Sequence, residues 1–185
     1  MVSAPNGTLS DGVVLLRPLA DGDLPVVERG INDPDVIRSF GRAPVSAGRL
    51  LELNRRRWSA GTAAAFAVCD IADECLGEVW VNLTGAPRGI VGGWLLPEAR
   101  GRGLATRALR LISCWAFREA GLARLRLLTE ASNRAAQRVA ERGGFRREGV
   151  IRSYKTIGGR RTDGVVYSLL AADLESAGSS DVTLT

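Results

Sequence analysis

Residues 92–119 read GGWLLPEARGRGLATRALRLISCWAFRE, and this stretch decides the fold of the chain. It begins as a strand, passes through a turn rich in Arg and Gly, and opens a helix. The glycines of the turn carry no side chain, so its backbone N–H groups can approach a ligand closely. The first turn of the helix adds unpaired N–H groups and the positive end of the helix dipole. This arrangement predicts an anion site that suits a pyrophosphate.

The helix that follows the turn has one apolar stripe. Its apolar residues recur at the spacing of a helical face, namely Leu104, Ala108, Leu111 and Trp115. Gly121 is a natural C-terminal stop. The turn lacks the Gly-Lys-Ser/Thr of a Walker A loop, and Thr106 stands where a dinucleotide fingerprint has its third glycine. The pattern therefore predicts a buried helix after an anion-binding turn of another kind.

Length and composition are those of one globular domain. The chain has 185 residues, of which 45% are hydrophobic and 24% are charged. The net charge is +5, but the basic residues are spread along the chain without a nucleic-acid-binding motif. We therefore expect no nucleic-acid partner. No apolar run approaches the length of a membrane helix and no signal pattern opens the chain, so we expect no membrane partner and a cytoplasmic location.

Metal and disulfide chemistry are not expected. The three cysteines, Cys69, Cys75 and Cys114, form an odd set without paired spacing, and the chain has no His. An ordinary zinc site is therefore not predicted. Because no imidazole is available to activate a thiol, small buried thiols are the favoured interpretation.

The rest of the chain alternates between strand and helix patterns. Strands are predicted at residues 13–18, 64–69, 76–83, 90–96, 124–129, 145–151 and 165–170, and further helices at 21–30, 46–58 and 133–143. Residues 40–44 are predicted to form a loop, and Gly158-Gly159 a hairpin turn. The predicted organisation is a flexible leader at 1–10, one domain at 11–175 and a flexible tail at 176–185.

The strand over residues 76–83 shows period-two alternation. This pattern predicts one face with Leu76, Glu78, Trp80 and Asn82, and an opposite face with Val79, Val81 and Leu83.

The central turn resembles the acyl-CoA pyrophosphate turn of the GNAT superfamily of N-acetyltransferases, whose pattern is Arg/Gln-x-x-Gly-x-Gly/Ala. Arg100, Gly103 and Ala105 fill its three fixed positions. A second signature, NRAAQRVAERGGF at residues 133–145, is similar to the Asn-led helix that runs into Glu-Lys/Arg-x-Gly-Phe in the RimJ/RimL-like branch. Residues 163–169, DGVVYSL, also resemble this branch. The matches follow the family's order over roughly residues 11–175.

The resemblance implies an α/β (α+β) fold, a single GNAT-like domain. Its sheet would be mixed and mostly antiparallel, with about seven strands, helices on both faces and a splay between strands 4 and 5, here residues 90–96 and 124–129. It also implies acetyl-CoA, or another acyl-CoA, as co-substrate and no metal.

The cofactor contacts implied by the resemblance centre on the turn. The pyrophosphate contacts would be Arg100, Gly101, Arg102, Gly103, Leu104, Ala105 and Thr106. The main chain of Leu95 and Leu96 would pair with pantetheine. Asn133 would hydrogen-bond the pantetheine arm or hold a water near the thioester, and Arg138 would reach the CoA phosphates.

The implied reaction is direct attack of a neutral amine on the acyl carbonyl in a ternary complex. An alkylammonium with a pKa of about 10 must lose a proton first, whereas an α-amine of about 8 does so more easily, and a general base is expected. The chain departs from the family at three proton-transfer positions, which hold Ile90, Ala136 and Ala140.

These departures leave other residues as catalytic candidates. Glu78 is the predicted base, on a strand near the cleft, and an outward or salt-bridged Glu78 is the alternative. Asn133 and Tyr167 complete the predicted catalytic set, with Tyr154 and Ser168 as weaker candidates. Positioning of the substrates without a dedicated base is a further alternative.

The acceptor is expected to be a primary amine, either a protein N-terminal α-amine or a small-molecule amine such as an antibiotic or metabolite. Phe40, Trp80 and Trp94 are the predicted walls of its pocket, with ordinary core positions as the alternative. A catalytically silent acyl-CoA-binding or regulatory module is an alternative function, because the usual proton-transfer groups are missing. A homodimer is compatible with the sequence, which does not decide the oligomeric state.

Overall fold

The structure is a computed structural model that describes residues 8–41, 45–85, 87–157, 159–176 and 183–184. In this part of the chain the strands are β1 (Leu9–Ser10), β2 (Leu15–Pro18), β3 (Ala63–Cys69), β4 (Cys75–Leu83), β5 (Arg88–Leu95), β6 (Arg124–Glu130), β7 (Arg146–Ile157), β8 (Arg160–Leu170) and β9 (Thr183–Leu184). The helices are α1 (Leu24–Ile31), α2 (Pro34–Phe40), α3 (Ala47–Ser59), α4 (Leu104–Arg118), α5 (Arg134–Arg142) and α6 (Ala171–Ser176). Short 3₁₀ helices stand at Asp21–Asp23 and Pro97–Ala99.

Parts of the predicted termini and loops fall outside the described ranges. These are residues 1–7 of the leader, 42–44 of the loop, Gly158 of the hairpin turn, and residues 177–182 and 185 of the tail. The boundaries of the leader, the domain and the tail therefore stay predictions.

The strands form one sheet in the order β7-β8-β6-β5-β4-β3-β2-β1-β9. Only β5 and β6 run parallel; the other neighbouring strands in the described residues run antiparallel. This confirms a mixed, mostly antiparallel sheet. Seven of the strands correspond to the seven predicted ones, and the two additional strands, β1 and β9, have two residues each.

Neighbouring residues of β3 face two different cores. Phe66 lies in the larger core with Trp115 of α4, whereas Ala67 lies in a second core with Val27 of α1 and Leu51 of α3. Because successive residues of a strand point to opposite faces, α4 covers one face of the sheet and α1 and α3 cover the other. Helices on both faces are thereby confirmed.

The splay between β5 and β6 is also confirmed. The two strands pair only at Arg88, Gly89 and Ile90 of β5. Beyond Ile90, β5 stays paired with β4 as far as Leu95, while β6 stays paired with β8 as far as Glu130. The main chain of β5 past Ile90 therefore borders a gap in the sheet, and the predicted anion-binding turn follows at the end of this strand.

Leu76 is a correction to the predicted face pattern. It packs in the same core as Val79 and Val81, not on the face of Glu78. The pairing of β3 with β4 is irregular between Val68 and Cys69, where an extra residue of β4 interrupts the alternation.

Helix α2 corrects the predicted loop that began at Phe40. Phe40 is the last residue of this helix, and Asp33 caps its N-terminus by accepting hydrogen bonds from the amides of Asp35 and Val36. The central helix α4 is buried on its apolar stripe as predicted. Among the described helices, α4 included, none combines the length and apolarity that a membrane crossing requires.

Candidate active site

The turn between β5 and α4 forms a cradle of backbone amides. Gly101 and Gly103 have φ angles of +76° and +80°, which favour glycine. The first hydrogen bonds of the helix run from the amides of Thr106 and Arg107 to Gly103 O, at 3.1 and 3.3 Å, so the preceding amides point ahead of the helix. A Cβ atom added to either glycine would meet no atom within 4 Å. The turn thus has the space and the donors that a diphosphate requires.

The side chain of Arg100 turns away from this cradle towards α2. Its Nε donates to Leu95 O at 2.9 Å, and its terminal nitrogens contact Asp33 Oδ1 at 2.9 Å and Asp35 Oδ2 at 2.7 Å. Burial raises the pKa of Asp33, but Arg100 and two backbone amides outweigh it and hold that pKa below its usual range. Arg100 therefore connects the turn to α2.

The other predicted cofactor residues lie around the cradle. Arg102 on the turn and Arg138 on α5 are exposed. Leu95 and Leu96 are buried, and the amide of Leu96 donates to Leu76 O at 2.9 Å. The contacts of all four residues with a cofactor stay predictions.

Asn133 and Tyr167 have partners within the protein. Asn133 Oδ1 accepts a hydrogen bond from the amide of Ala136 at 3.0 Å and so caps α5. Tyr167 is fully buried, and its hydroxyl donates to Glu141 Oε1 at 2.9 Å. Burial and the Glu141 carboxylate raise the pKa of Tyr167. Because Tyr167 belongs to the core beneath α4, it is not brought together with Glu78, which faces the other side of the sheet.

Glu78 lies in the middle of β4, opposite Trp94 of β5. It is 5% exposed, and Asn54 of α3 donates its Nδ2 to Glu78 Oε1 at 2.9 Å. Burial raises the pKa of Glu78 to about 7, against the smaller lowering effects of Asn54 and Trp94. Neither alternative for Glu78 is observed, since it is not outward and no ion pair in the described residues includes it.

Two of the predicted pocket aromatics lie together on the face of Glu78. The rings of Phe40 and Trp80 meet edge to face with centroids 5.0 Å apart, and Phe40 is 50% exposed. Trp80 lies over Gly92 of β5, where an added Cβ would come within 2.8 Å of its ring. Trp94 is buried beneath α1, where a Cβ on Gly30 would come within 2.2 Å of the ring. Phe40 and Trp80 thus form an accessible wall, and Trp94 occupies a core position.

Two further residues, Asn54 and Lys155, were not predicted from the sequence. Asn54, which orients Glu78, is 24 positions away on another element, and no spacing rule would predict that contact. Lys155 of β7 lies 2.7 Å from Glu130 Oε1 and donates to the carbonyls of Arg38 and Ser39 at 3.1 and 2.8 Å. These bonds hold the C-terminal end of α2, as Arg100 holds its N-terminal end.

One signal for α2 was present in the sequence. Asp33 precedes Pro34, and a capping residue followed by proline at the first helical position is a helix-start pattern.

Known proteins resemble the chain in sequence and in fold. Residues 14–146 match the family model described as acetyltransferase (GNAT) domain. The putative ribosomal N-acetyltransferase YdaF of Bacillus subtilis is 35% identical over 85 residues, 46% of this chain and 46% of that protein. The chain thus spans about half the length of this curated relative.

Two solved structures share the fold. RimJ of Mycobacterium smegmatis, in complex with CoA-disulfide, has a TM-score of 0.79 at 20% identity and covers 96% of this chain and 97% of its own. Spermidine N-acetyltransferase from Vibrio cholerae, in complex with CoA and spermine, has a TM-score of 0.78 at 23% identity. The match covers 86% of this chain and 96% of that protein.

Proposed function

The chain belongs to the acetyltransferase (GNAT) domain family, and on that premise we propose that it transfers an acetyl group from acetyl-CoA to a primary amine. The observation that carries the proposal is the separation of β5 from β6 after Ile90, at the strand that leads into the cradle of amides. An extended cofactor arm can pair with an open strand edge while its diphosphate lies on the helix N-terminus.

The cofactor residues are proposed as follows. The amides of residues 101–105 would hold the diphosphate, and exposed Arg102 would add positive charge. The open edge of β5 between Ile90 and Leu95 would hold the pantetheine arm. When bound, acetyl-CoA supplies an activated thioester whose carbonyl carbon accepts the amine. Arg100 would act indirectly, because its side chain is engaged by Asp33 and Asp35.

Glu78 is the proposed general base. With a pKa of about 7, a sizeable fraction of its carboxyl groups is ionised at neutral pH and can accept a proton, directly or through a water. Asn54 fixes one carboxylate oxygen and so orients the carboxyl group. Phe40 and Trp80 would form the wall beside the acceptor.

The lower pKa of an α-ammonium favours an α-amine as acceptor. Proton transfer to a base of pKa about 7 is uphill by roughly one pKa unit from an α-ammonium and by roughly three units from an alkylammonium. Each unit corresponds to about 1.4 kcal/mol. The name of YdaF, a putative ribosomal N-acetyltransferase, agrees with a protein acceptor. The second candidate is a polyamine or another small-molecule amine, supported by the fold shared with a spermidine N-acetyltransferase.

The test measures thiol release from acetyl-CoA by the full-length protein. The amines are a peptide with a free α-amine and no Lys, the same peptide with a blocked N-terminus, and spermidine. We expect the free α-amine peptide to react fastest, with kcat/KM rising as the pH passes through about 7 because Glu78 must be ionised.

Glu78→Gln is the matched variant, since it keeps the size of the side chain and removes the base. We expect it to lower kcat by about 10²- to 10⁴-fold and to leave CoA affinity unchanged. Preference for spermidine would replace the protein acceptor with the second candidate. Tight CoA binding with no release for any amine would instead support a catalytically silent module, and no CoA binding would refute the cofactor site.

A further inference from the structure

Two free cysteines lie opposite each other on neighbouring strands. Cys69 at the end of β3 and Cys75 at the start of β4 are register partners on either side of a short turn. In that turn the amide of Asp70 donates to Glu74 O at 3.1 Å. The next pair along the strands, Cys69 with Cys75, is therefore a non-hydrogen-bonded pair.

The positions of this pair suit a disulfide. In non-hydrogen-bonded antiparallel pairs the Cα atoms are about 4.5 Å apart, and disulfides span Cα distances of about 4.4–6.8 Å. Both side chains belong to the core beneath α1 and α3, so both point to the same face of the sheet.

A cleft gives access to one of the two thiols. Its volume is about 370 Å³, and its lining includes Cys75, Arg17, Asp23 and Asp73. Cys75 is 7% exposed, whereas Cys69 is 0% exposed. A small oxidant in the cleft would therefore meet Cys75 first, with Cys69 behind it.

The contact with Cys69 favours a thiolate at Cys75. The Cys69 thiol lowers the pKa of Cys75 most, against the effect of burial, while the nearby Asp23 carboxylate raises that pKa and Arg17 at the cleft lowers it. Arg17 keeps its place through ion pairs with Asp23 at 2.7 Å and Asp73 at 2.5 Å. By contrast, burial raises the pKa of Cys114 in α4. Since the thiolate is the reactive form, Cys75 is the more reactive thiol.

We propose that Cys69 and Cys75 are a reversible dithiol–disulfide pair, oxidised by a small-molecule disulfide such as oxidised glutathione through the cleft. The Cys75 thiolate attacks one sulfur of the oxidant, forms a mixed disulfide and releases one thiolate. Cys69 loses its proton and attacks the Cys75 sulfur, which forms the protein disulfide and releases the second thiolate. The two protein thiols are oxidised, and the oxidant is reduced to two thiols.

The test treats the folded, full-length protein with oxidised glutathione, followed by alkylation of the remaining thiols, intact mass measurement and peptide mapping. We expect the wild type and the Cys114→Ser control to lose two hydrogen atoms and to carry one disulfide between Cys69 and Cys75. Dithiothreitol should restore both thiols. Cys69→Ser should stop at a glutathione adduct on Cys75, and Cys75→Ser should leave Cys69 unmodified.

A second measurement needs no substitution in the pair. Native alkylation with a limiting maleimide should label Cys75 faster than Cys114, because the pKa of Cys75 is lowered and that of Cys114 is raised. The proposal is overturned if the wild type stays fully reduced with oxidised glutathione, if the disulfide forms only after denaturation, or if Cys114 is labelled first.

Discussion

Glu78 could be identified from the sequence as a candidate base, but its raised pKa could not be predicted. Alternation along the strand predicts its face, and the position near the gap makes it a candidate base. Its pKa depends on burial and on Asn54 from another helix. Neither the burial nor the Asn54 contact follows from local spacing, so the raised pKa became evident only from the packed structure.

The charge state of Glu78 predicts a pH-dependent stability. The pKa of its carboxyl group is about 4.5 in the unfolded chain and about 7 in the folded protein, so folding favours the protonated form. The stabilising contribution is complete below about pH 4.5 and is lost as the pH rises through about 7. Relative to the wild type, Glu78→Gln should gain up to about 3 kcal/mol in free energy of unfolding across this range.

Urea unfolding at pH 5 and pH 8 measures this difference. Glu52→Gln is the control, because Glu52 is on the exposed surface of α3 and Arg49 lowers its pKa. If the increase in free energy of unfolding caused by Glu78→Gln is the same at pH 5 and pH 8, the raised pKa of Glu78 is contradicted.

Arg100 is a second residue whose side-chain contacts could not be predicted from the sequence. Its place in the turn motif was readable from the sequence, but its side chain pairs with Asp33 and Asp35, more than 60 positions away. A motif fixes where the backbone turns, and the partners of a long side chain depend on which elements pack beside it.

At the scale of elements, the turn before α4 and the helix α2 supply the main parts of the proposed site. The turn needs glycine for its backbone and offers open space above it. Helix α2 carries Phe40 and is held to the turn through Arg100.

Substitution of Gly103 tests the cradle. A glutamate at this position would place a negative charge where the diphosphate is proposed to lie, so Gly103→Glu should abolish CoA binding in calorimetry. The left-handed backbone adds a strain of about 1–2 kcal/mol for any side chain. Gly103→Ala carries the same strain without the charge and is the matched control. CoA affinity that falls equally in both variants would attribute the loss to strain.

Substitution of Asp33 tests the attachment of α2. Asp33 caps the helix and pairs with Arg100, and its side chain is 9% exposed. Asp33→Ala should lower the free energy of unfolding by about 1–2 kcal/mol, because a cap and a partly buried ion pair are lost.

The matched control is Asp35→Ala. Asp35 also pairs with Arg100 but is 53% exposed, so this change should cost less than about 1 kcal/mol. Equal effects of the two changes in urea unfolding would show that the cap does not matter.

At the scale of the whole molecule, most of the fold could be predicted from periodicity. The seven longer strands, the central helix and the helices beginning near Leu24, Ser46 and Asn133 follow from alternation, apolar stripes and caps. The exceptions have physical causes. Helix α2 is too short for a clear period, and the two-residue strands β1 and β9 are too short to show an alternation. Leu76 lies at a bulge, which no alternation rule can locate.

The larger core should depend strongly on Phe66. Its ring meets Trp58 at 4.8 Å and Trp115 at 5.1 Å between centroids, so it joins β3 to α3 and α4. Phe66→Ala should lower the free energy of unfolding by about 3–5 kcal/mol, because the lost contacts leave a cavity.

Phe66→Leu keeps an apolar side chain and should cost clearly less, about 1–2 kcal/mol. Urea unfolding followed by tryptophan fluorescence measures both variants. Equal losses would show that the edge-to-face ring contacts, and not the filled volume, govern this core.

Lys155 has a consequence for how the protein can be handled. It is the one lysine of the sequence, and its ammonium is held by Glu130 and by two carbonyls at the end of α2. Because a charged, bonded ammonium is a poor nucleophile, long incubation with acetyl-CoA should produce little autoacetylation at this side chain. Amine-directed dyes and surface coupling would compete with the same bonds, so both should react slowly at this side chain.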